Sequence, residues 1–124
     1  MSKENQERIV IKISLDTNIF LNVKNNEEPF FEYSVKILDS IDGNIIECNL
    51  STIVLSEICT EYYENNEIKE KNIFMTHIRT SLTYHIISVD ERIADLAGKM
   101  RVENSIRLPD ALIAVRRFLI IVSI

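Results

Sequence analysis

Ile9-Val10-Ile11-Lys12-Ile13-Ser14-Leu15-Asp16-Thr17-Asn18 is a β-branched run that breaks off in three polar residues. Branched side chains suit a pleated, half-buried surface, and Ile9, Ile11, Ile13 and Leu15 keep a period of two, so the stretch predicts a strand with those four on its buried face. A carboxylate at the carboxyl end of a buried strand stands where open α/β sheets form their ligand crevice. Asp16 is therefore the first candidate site residue, with Thr17 and Asn18 beside it as hydrogen-bonding supports. The competing reading makes Asp16-Thr17-Asn18 a helix cap at an ordinary strand-to-helix turn, since all three residue types favour caps.

Downstream, helical and extended patterns alternate. Ile19 to Val23 predicts a short turn of helix, and Asn25-Asn26-Glu27-Glu28-Pro29 a polar break with Pro29 in the first turn of the next helix. Phe31, Val35, Leu38 and Ile41 give that helix its apolar stripe, and Gly43 is expected as its left-handed cap. A second strand is expected over Ile45 to Cys48. Ser51 then reads as the N-cap of a helix running to about Glu64, with Val54, Leu55, Ile58 and Tyr62 on its buried side. A helix over Lys69 to Leu82 carries Ile73, Phe74, Ile78 and Leu82, and Tyr84 to Val89 returns to strand character. Asp90 caps a helix whose face is Ile93, Leu96, Ala97 and Met100, Pro109 opens another, and Phe118 to Ile124 favours β structure. Such alternation implies an α/β fold with a parallel sheet covered on both faces and joined by right-handed crossovers.

The length of 124 residues fits one domain spanning 1–124, large enough to bury about two-thirds of its unfolded surface. With 46% hydrophobic and 27% charged residues the composition is that of a soluble globular protein. Met1 to Gln6 is polar and is not a signal peptide, and no apolar run approaches membrane-spanning length, so the cytoplasm is the expected compartment. Cys48 and Cys59 lack both CxxC spacing and a histidine cluster, which leaves them as thiols rather than zinc ligands. His77 and His85 have no carboxylate near them in sequence and read as helix-surface or strand-end residues. The net charge of −5 argues against a simple electrostatic binder of nucleic acid. An acidic enzyme can still act on RNA once bound divalent cations offset the local charge. The basic residues Lys99, Arg101, Arg107, Arg116 and Arg117 gather in the last quarter of the chain, where the macrodipole of helix ends would also favour them.

Three acids stand at the start of, or inside, otherwise apolar elements: Asp16, Glu57 in Ser51-Thr52-Ile53-Val54-Leu55-Ser56-Glu57-Ile58, and Asp110 in Leu108-Pro109-Asp110-Ala111-Leu112-Ile113-Ala114. In a parallel α/β sheet, strand ends and the helices after them converge on one edge, so all three can face one crevice. Like charges gathered there repel unless a cation neutralises them. Oxygen ligands without thiolate or imidazole point to a hard ion, Mg²⁺ or Mn²⁺, which lowers the pKa of bound water and stabilises charge on a phosphodiester. Each acid also has a plainer reading: Asp110 suits a helix N-terminus, and Glu57 the polar side of an amphipathic helix.

The pieces Leu15-Asp16-Thr17-Asn18-Ile19-Phe20, Ser51 through Ser56-Glu57-Ile58, Ile93-Ala94-Asp95-Leu96-Ala97 and Arg107-Leu108-Pro109-Asp110-Ala111-Leu112-Ile113-Ala114 resemble, in order and spacing, the PIN domain. Within it they are similar to the VapC-type ribonuclease toxins of prokaryotic toxin–antitoxin pairs. The resemblance implies a three-layer α/β/α sandwich, Mg²⁺- or Mn²⁺-dependent endoribonuclease activity, homodimerisation and inhibition by a small cognate antitoxin. It assigns the metal-binding acids to Asp16, Glu57 and Asp110, with Thr17 and Asn18 as supports. In one place the chain departs from the family. A fourth acid normally follows the Asp-Ala-Leu-Ile-Ala helix, and here no acidic residue follows Asp110. Either the chain is truncated at its carboxyl end or another carboxylate substitutes, Asp90 and Asp95 being nearest. The expectation is then a single three-carboxylate ion site rather than a pair of ions. A second expectation, from the same departure, is a catalytically impaired module that dimerises or binds an antitoxin. A haloacid-dehalogenase-type phosphatase would need a second Asp two positions after the first, where Asn18 stands.

Overall fold

A computed structural model describes residues 10–118. The elements follow in the order β1 (Lys12–Ser14), α1 (Thr17–Lys24), α2 (Phe31–Asp42), β2 (Glu47–Ser51), α3 (Thr52–Glu64), α4 (Ile68–Thr80), β3 (Tyr84–Ile87), α5 (Glu91–Asn104) and α6 (Leu108–Phe118). The strands form a parallel sheet in the order β1-β2-β3, with Ser14 opposite Asn49 and Asn49 opposite His85. All three strands therefore point their carboxyl ends to one edge. Phe118 ends α6 instead of opening the expected strand over Phe118 to Ile124, and the rest of that stretch, the side chains of Arg116 and Arg117, and the polar Met1 to Gln6 lie outside the described residues. Among those residues no helix is long and apolar enough to cross a membrane.

One face of the sheet carries Ile13, Cys48, Leu50 and Tyr84, and it packs into the main core with Leu15, Phe20, Ile41, Val54, Leu55, Ile58, Ile78 and Ile113. Phe20 meets Phe74 edge-on at 5.9 Å between ring centroids and Tyr84 at 6.2 Å, which ties α1 to α4 and β3. The opposite face carries Lys12, Glu47, Asn49 and His85, all only half-buried. A second, smaller cluster of Ile93, Ala97, Ala111, Leu112 and Val115 joins α5 to α6.

The sequence places the main elements but misplaces several details. Of the predicted face of the first strand, Leu15 is buried and Ile13 half-buried, but Ile11 is 46% exposed, Ile9 lies outside the described residues, and the strand is only three residues long. The left-handed residue after α2 is Asn44 at φ 62°, whereas Gly43 keeps φ −83°. Three helices end the same way: Asn26, Asn44 and Asn66 all take positive φ, and Glu27, Ile45 and Glu67 donate their amides back to Asn22, Ser40 and Tyr62 at 2.9, 2.9 and 2.8 Å. This closing turn uses up Ile45, so the second strand begins at Glu47 rather than Ile45. On α4 Ile78 is buried and Phe74 half-buried against the core, while Ile73 and Leu82 are exposed and the helix stops at Thr80. Leu96 is likewise exposed on α5. Pro29 precedes α2 in a turn and does not enter the helix.

The two predicted caps are present. Ser51 Oγ accepts from the Ile53 amide at 3.1 Å, and Asp90 Oδ1 accepts from the Ile93 amide at 2.9 Å. Cys48 and Cys59 are both free thiols, and burial pushes the Cys48 thiol up to about 12. The histidines acquire carboxylate partners that the local sequence does not show. His77 Nε2 lies 3.0 Å from Asp42 Oδ1, and His85 Nε2 meets Glu47 Oε1 across β2 and β3.

Candidate functional site

Because the strands are parallel, the turns after β1 and β2 open on the same edge, and α6 packs beside them against α3 and β1. A cleft of about 270 Å³ lies there, lined by Asp16, Thr17, Asn18, Glu57, Arg107, Asp110 and Ile113. Every acid singled out in the sequence lines it, and so do both supports. Asp90 and Asp95 do not. The first is committed to capping α5, and the second is exposed on that helix.

Asp16 occupies the N-cap position of α1 by its backbone, whose carbonyl accepts from the Ile19 amide at 3.2 Å. Its side chain makes no capping hydrogen bond, so Asp16 is the cap of α1 by backbone geometry alone. Thr17, the first residue of α1, donates its hydroxyl to Glu57 Oε1 at 3.0 Å, a contact between residues 40 apart in sequence. Glu57 is half-buried on the second turn of α3, so it is not merely the solvent side of that helix. Asp110 stands in the first turn of α6, where a negative charge is favoured. Its Oδ2 accepts from Arg107 Nε at 3.1 Å, and the Arg107 side chain is 77% exposed.

A family model for the PIN domain matches residues 13–115. The chain belongs to the PIN domain family. Among solved structures, it is similar to a chain of a toxin–antitoxin complex from Klebsiella pneumoniae. The TM-score is 0.65 at 20% identity, covering 86% of this chain and 78% of that one. It is also similar to a chain of VapBC2 from Rickettsia felis, a complex bound to a DNA fragment from its promoter. There the TM-score is 0.61 at 22% identity, covering 85% of this chain and 79% of that one. At these identities the likeness establishes a shared fold. No curated protein matches by sequence.

In this PIN domain the acids share a cleft without being clamped together. Among the described residues no group of three or more His, Cys, Asp and Glu side chains is close enough to hold a metal ion as it stands. Mutual repulsion keeps carboxylates apart, and Thr17 and Arg107 each occupy one oxygen of a carboxylate. The donor set is nonetheless all oxygen, which suits a hard divalent ion. The cleft also has room for such an ion with an octahedral water shell, at about 30 Å³ per water. Arg107 is the residue whose place in the cleft sequence reasoning missed. Its signal was present, since a guanidinium three residues before an acid at a helix start is an i,i+3 pair.

Proposed function

We propose that this PIN domain is a Mg²⁺- or Mn²⁺-dependent endoribonuclease, with Asp16, Glu57 and Asp110 holding the ion. The observation that carries this reading is the shared cleft: three acids from three separate elements line one polar pocket at the carboxyl edge of the sheet. A hard divalent ion bound there would lower the pKa of a water and offset charge on the phosphodiester. The chain's own part is to supply three carboxylates that, bare, repel an anionic strand, so RNA enters only with the cation. Thr17 fixes the direction of Glu57 through its hydroxyl. Asn18 offers the cleft a neutral amide that can donate to a phosphate or a water.

The test is incubation of the purified protein with RNA and Mg²⁺ or Mn²⁺, beside Asp16→Asn and an EDTA control. Cleavage dependent on both the ion and Asp16 is expected. Unchanged cleavage in both controls removes the proposal. We further propose that the protein is the toxin of a toxin–antitoxin pair, homodimeric and cytoplasmic, with a small cognate antitoxin as partner. This rests on its likeness to chains of two toxin–antitoxin complexes. Growth arrest on expression, relieved by co-expressing the product of an adjacent small gene, is the expected result.

A second reading has a specific observation behind it: Asp110 is already paired with Arg107 at 3.1 Å. On that reading, carried by the Arg107 pair alone, the chain is a catalytically impaired module that dimerises or binds an antitoxin. Calorimetry with Mn²⁺ separates the two, because the impaired module would bind no Mn²⁺ at millimolar concentrations.

A further inference from the structure

Arg107 stands immediately before the first residue of α6, at the positive end of that helix's dipole. A cation there is unfavourable for the helix, and Asp110 already supplies the negative charge that such an end prefers. The helix dipole therefore does not account for Arg107, and an exposed i,i+3 pair adds only a small increment to helix stability. Its side chain is 77% exposed and makes a single-point contact, Nε to Oδ2 at 3.1 Å, with a carboxylate that is itself 51% exposed. Exposed pairs of this kind are weak and readily exchanged. Yet the pair lies inside the cleft that also holds Asp16 and Glu57, so the guanidinium neutralises one of three acids where a divalent cation would bind.

We infer that Arg107 is a displaceable counter-ion that holds Asp110 until a divalent cation takes its place and then turns its guanidinium to a phosphate of the bound RNA. The inference rests on the metal-dependent reading above. Coulomb repulsion from the arriving cation moves Arg107 off Oδ2, and the i,i+3 spacing keeps it at the cleft mouth. Its fork of donors matches phosphate oxygens better than the single contact it leaves. The cleft then exchanges a resident positive charge for a mobile one, and the released arginine offsets the repulsion that the remaining carboxylates exert on RNA.

The full chain, with Arg107→Ala and Arg107→Lys, tests this without measuring turnover. Calorimetric titration with Mn²⁺ should show Arg107→Ala binding about two- to fivefold tighter than wild type, the effect of deleting an exposed competing pair. Arg107→Lys, which keeps the charge, should stay near wild type. Anisotropy of a labelled single-stranded RNA, with Ca²⁺ replacing Mg²⁺ to keep the strand uncut, should show weaker binding by Arg107→Ala. Its dependence of log affinity on log salt should be shallower by about 0.7, one phosphate contact. Equal or weaker Mn²⁺ affinity in Arg107→Ala, or unchanged RNA affinity and salt slope, overturns the inference and leaves the nuclease reading standing. Failure of wild type and both variants alike to bind Mn²⁺ overturns the nuclease reading, and this inference with it.

Discussion

Thr17→Val removes one oxygen and leaves the shape of the site alone. Valine keeps the branched outline of threonine at the first position of α1, so what is lost is the hydroxyl that donates to Glu57 Oε1 at 3.0 Å. A hydrogen bond to a charged group contributes about 1.5–3 kcal/mol, and losing a partner that orients a metal ligand commonly weakens the metal about 10- to 100-fold. The second range corresponds to about 1.4–2.7 kcal/mol, so the two estimates agree. Glu57 is only half-buried, so water replaces the hydroxyl in the apo protein and the fold should lose about 1 kcal/mol at most. The assay is Mn²⁺ calorimetry on wild type, Thr17→Val, Glu57→Gln and the double variant, with urea unfolding of each. If Thr17 acts through Glu57, the double variant binds no more weakly than Glu57→Gln alone, and the coupling energy equals the whole Thr17→Val loss, about 1.4–2.7 kcal/mol. Wild-type Mn²⁺ affinity in Thr17→Val, alongside a clear loss in Glu57→Gln, would refute the reasoning.

Three other perturbations probe the frame around the site. Ile113→Ala empties a side chain that is 8% exposed and belongs to the main core. It should cost about 2–5 kcal/mol in urea unfolding and lower Mn²⁺ affinity, because the same residue lines the cleft. Alkylation at neutral pH should modify Cys59 and spare Cys48, whose thiol burial pushes to about 12; mass spectrometry should show the second adduct only in denaturant. Lys24 sits 2.7 Å from Glu67 with its side chain 13% exposed, and the hydrogen bond to Glu67 raises its pKa above the ordinary 10.5. A raised folded-state pKa stabilises fully below 10.5 and is lost as pH climbs through the folded value. The stability gap between wild type and Lys24→Gln should therefore be complete at neutral pH and close in strongly alkaline buffer. A gap independent of pH would show that Glu67 does not hold the amine.

What could be read ahead of the structure was whatever a few neighbouring residues decide. Ser51 and Asp90 cap their helices because a short oxygen three or so positions from the helix amides has little else to do. Asp16 is placed by the end of an apolar run. Errors arose where two local rules compete. Gly43 is the obvious left-handed residue, but Asn44 follows it and tolerates that conformation too. The helix ends one residue later than glycine suggests, and the second strand shifts with it. On α4, Ile73 and Phe74 offer overlapping three- and four-residue stripes, and only packing against Phe20 and Tyr62 selects Phe74. The partners of His77, His85 and Glu57 are 35 to 40 residues away, beyond anything spacing can reveal.

The same division explains why the three acids share a cleft without closing on one another. Asp16 lies in the turn after β1 and Glu57 on the second turn of α3, the helix that follows β2, so both stand on elements packed into the main core, and Thr17 links them. Asp110 arrives differently. Its helix turns Ala111, Leu112 and Val115 to α5, and among its described buried residues Ile113 alone belongs to the main core. Ile53, in the first turn of α3, packs against both clusters and is the second point of attachment. The third carboxylate therefore rides on a helix pair docked to the sheet through a narrow apolar seam, and its distance from the other two follows that docking. On the proposed metal-dependent reading, a cation drawing all three together would work against their repulsion and the Arg107 pair but with this seam, so ion affinity and docking of α5 and α6 would be linked quantities. Substitutions in the seam should then weaken the ion without touching a ligand.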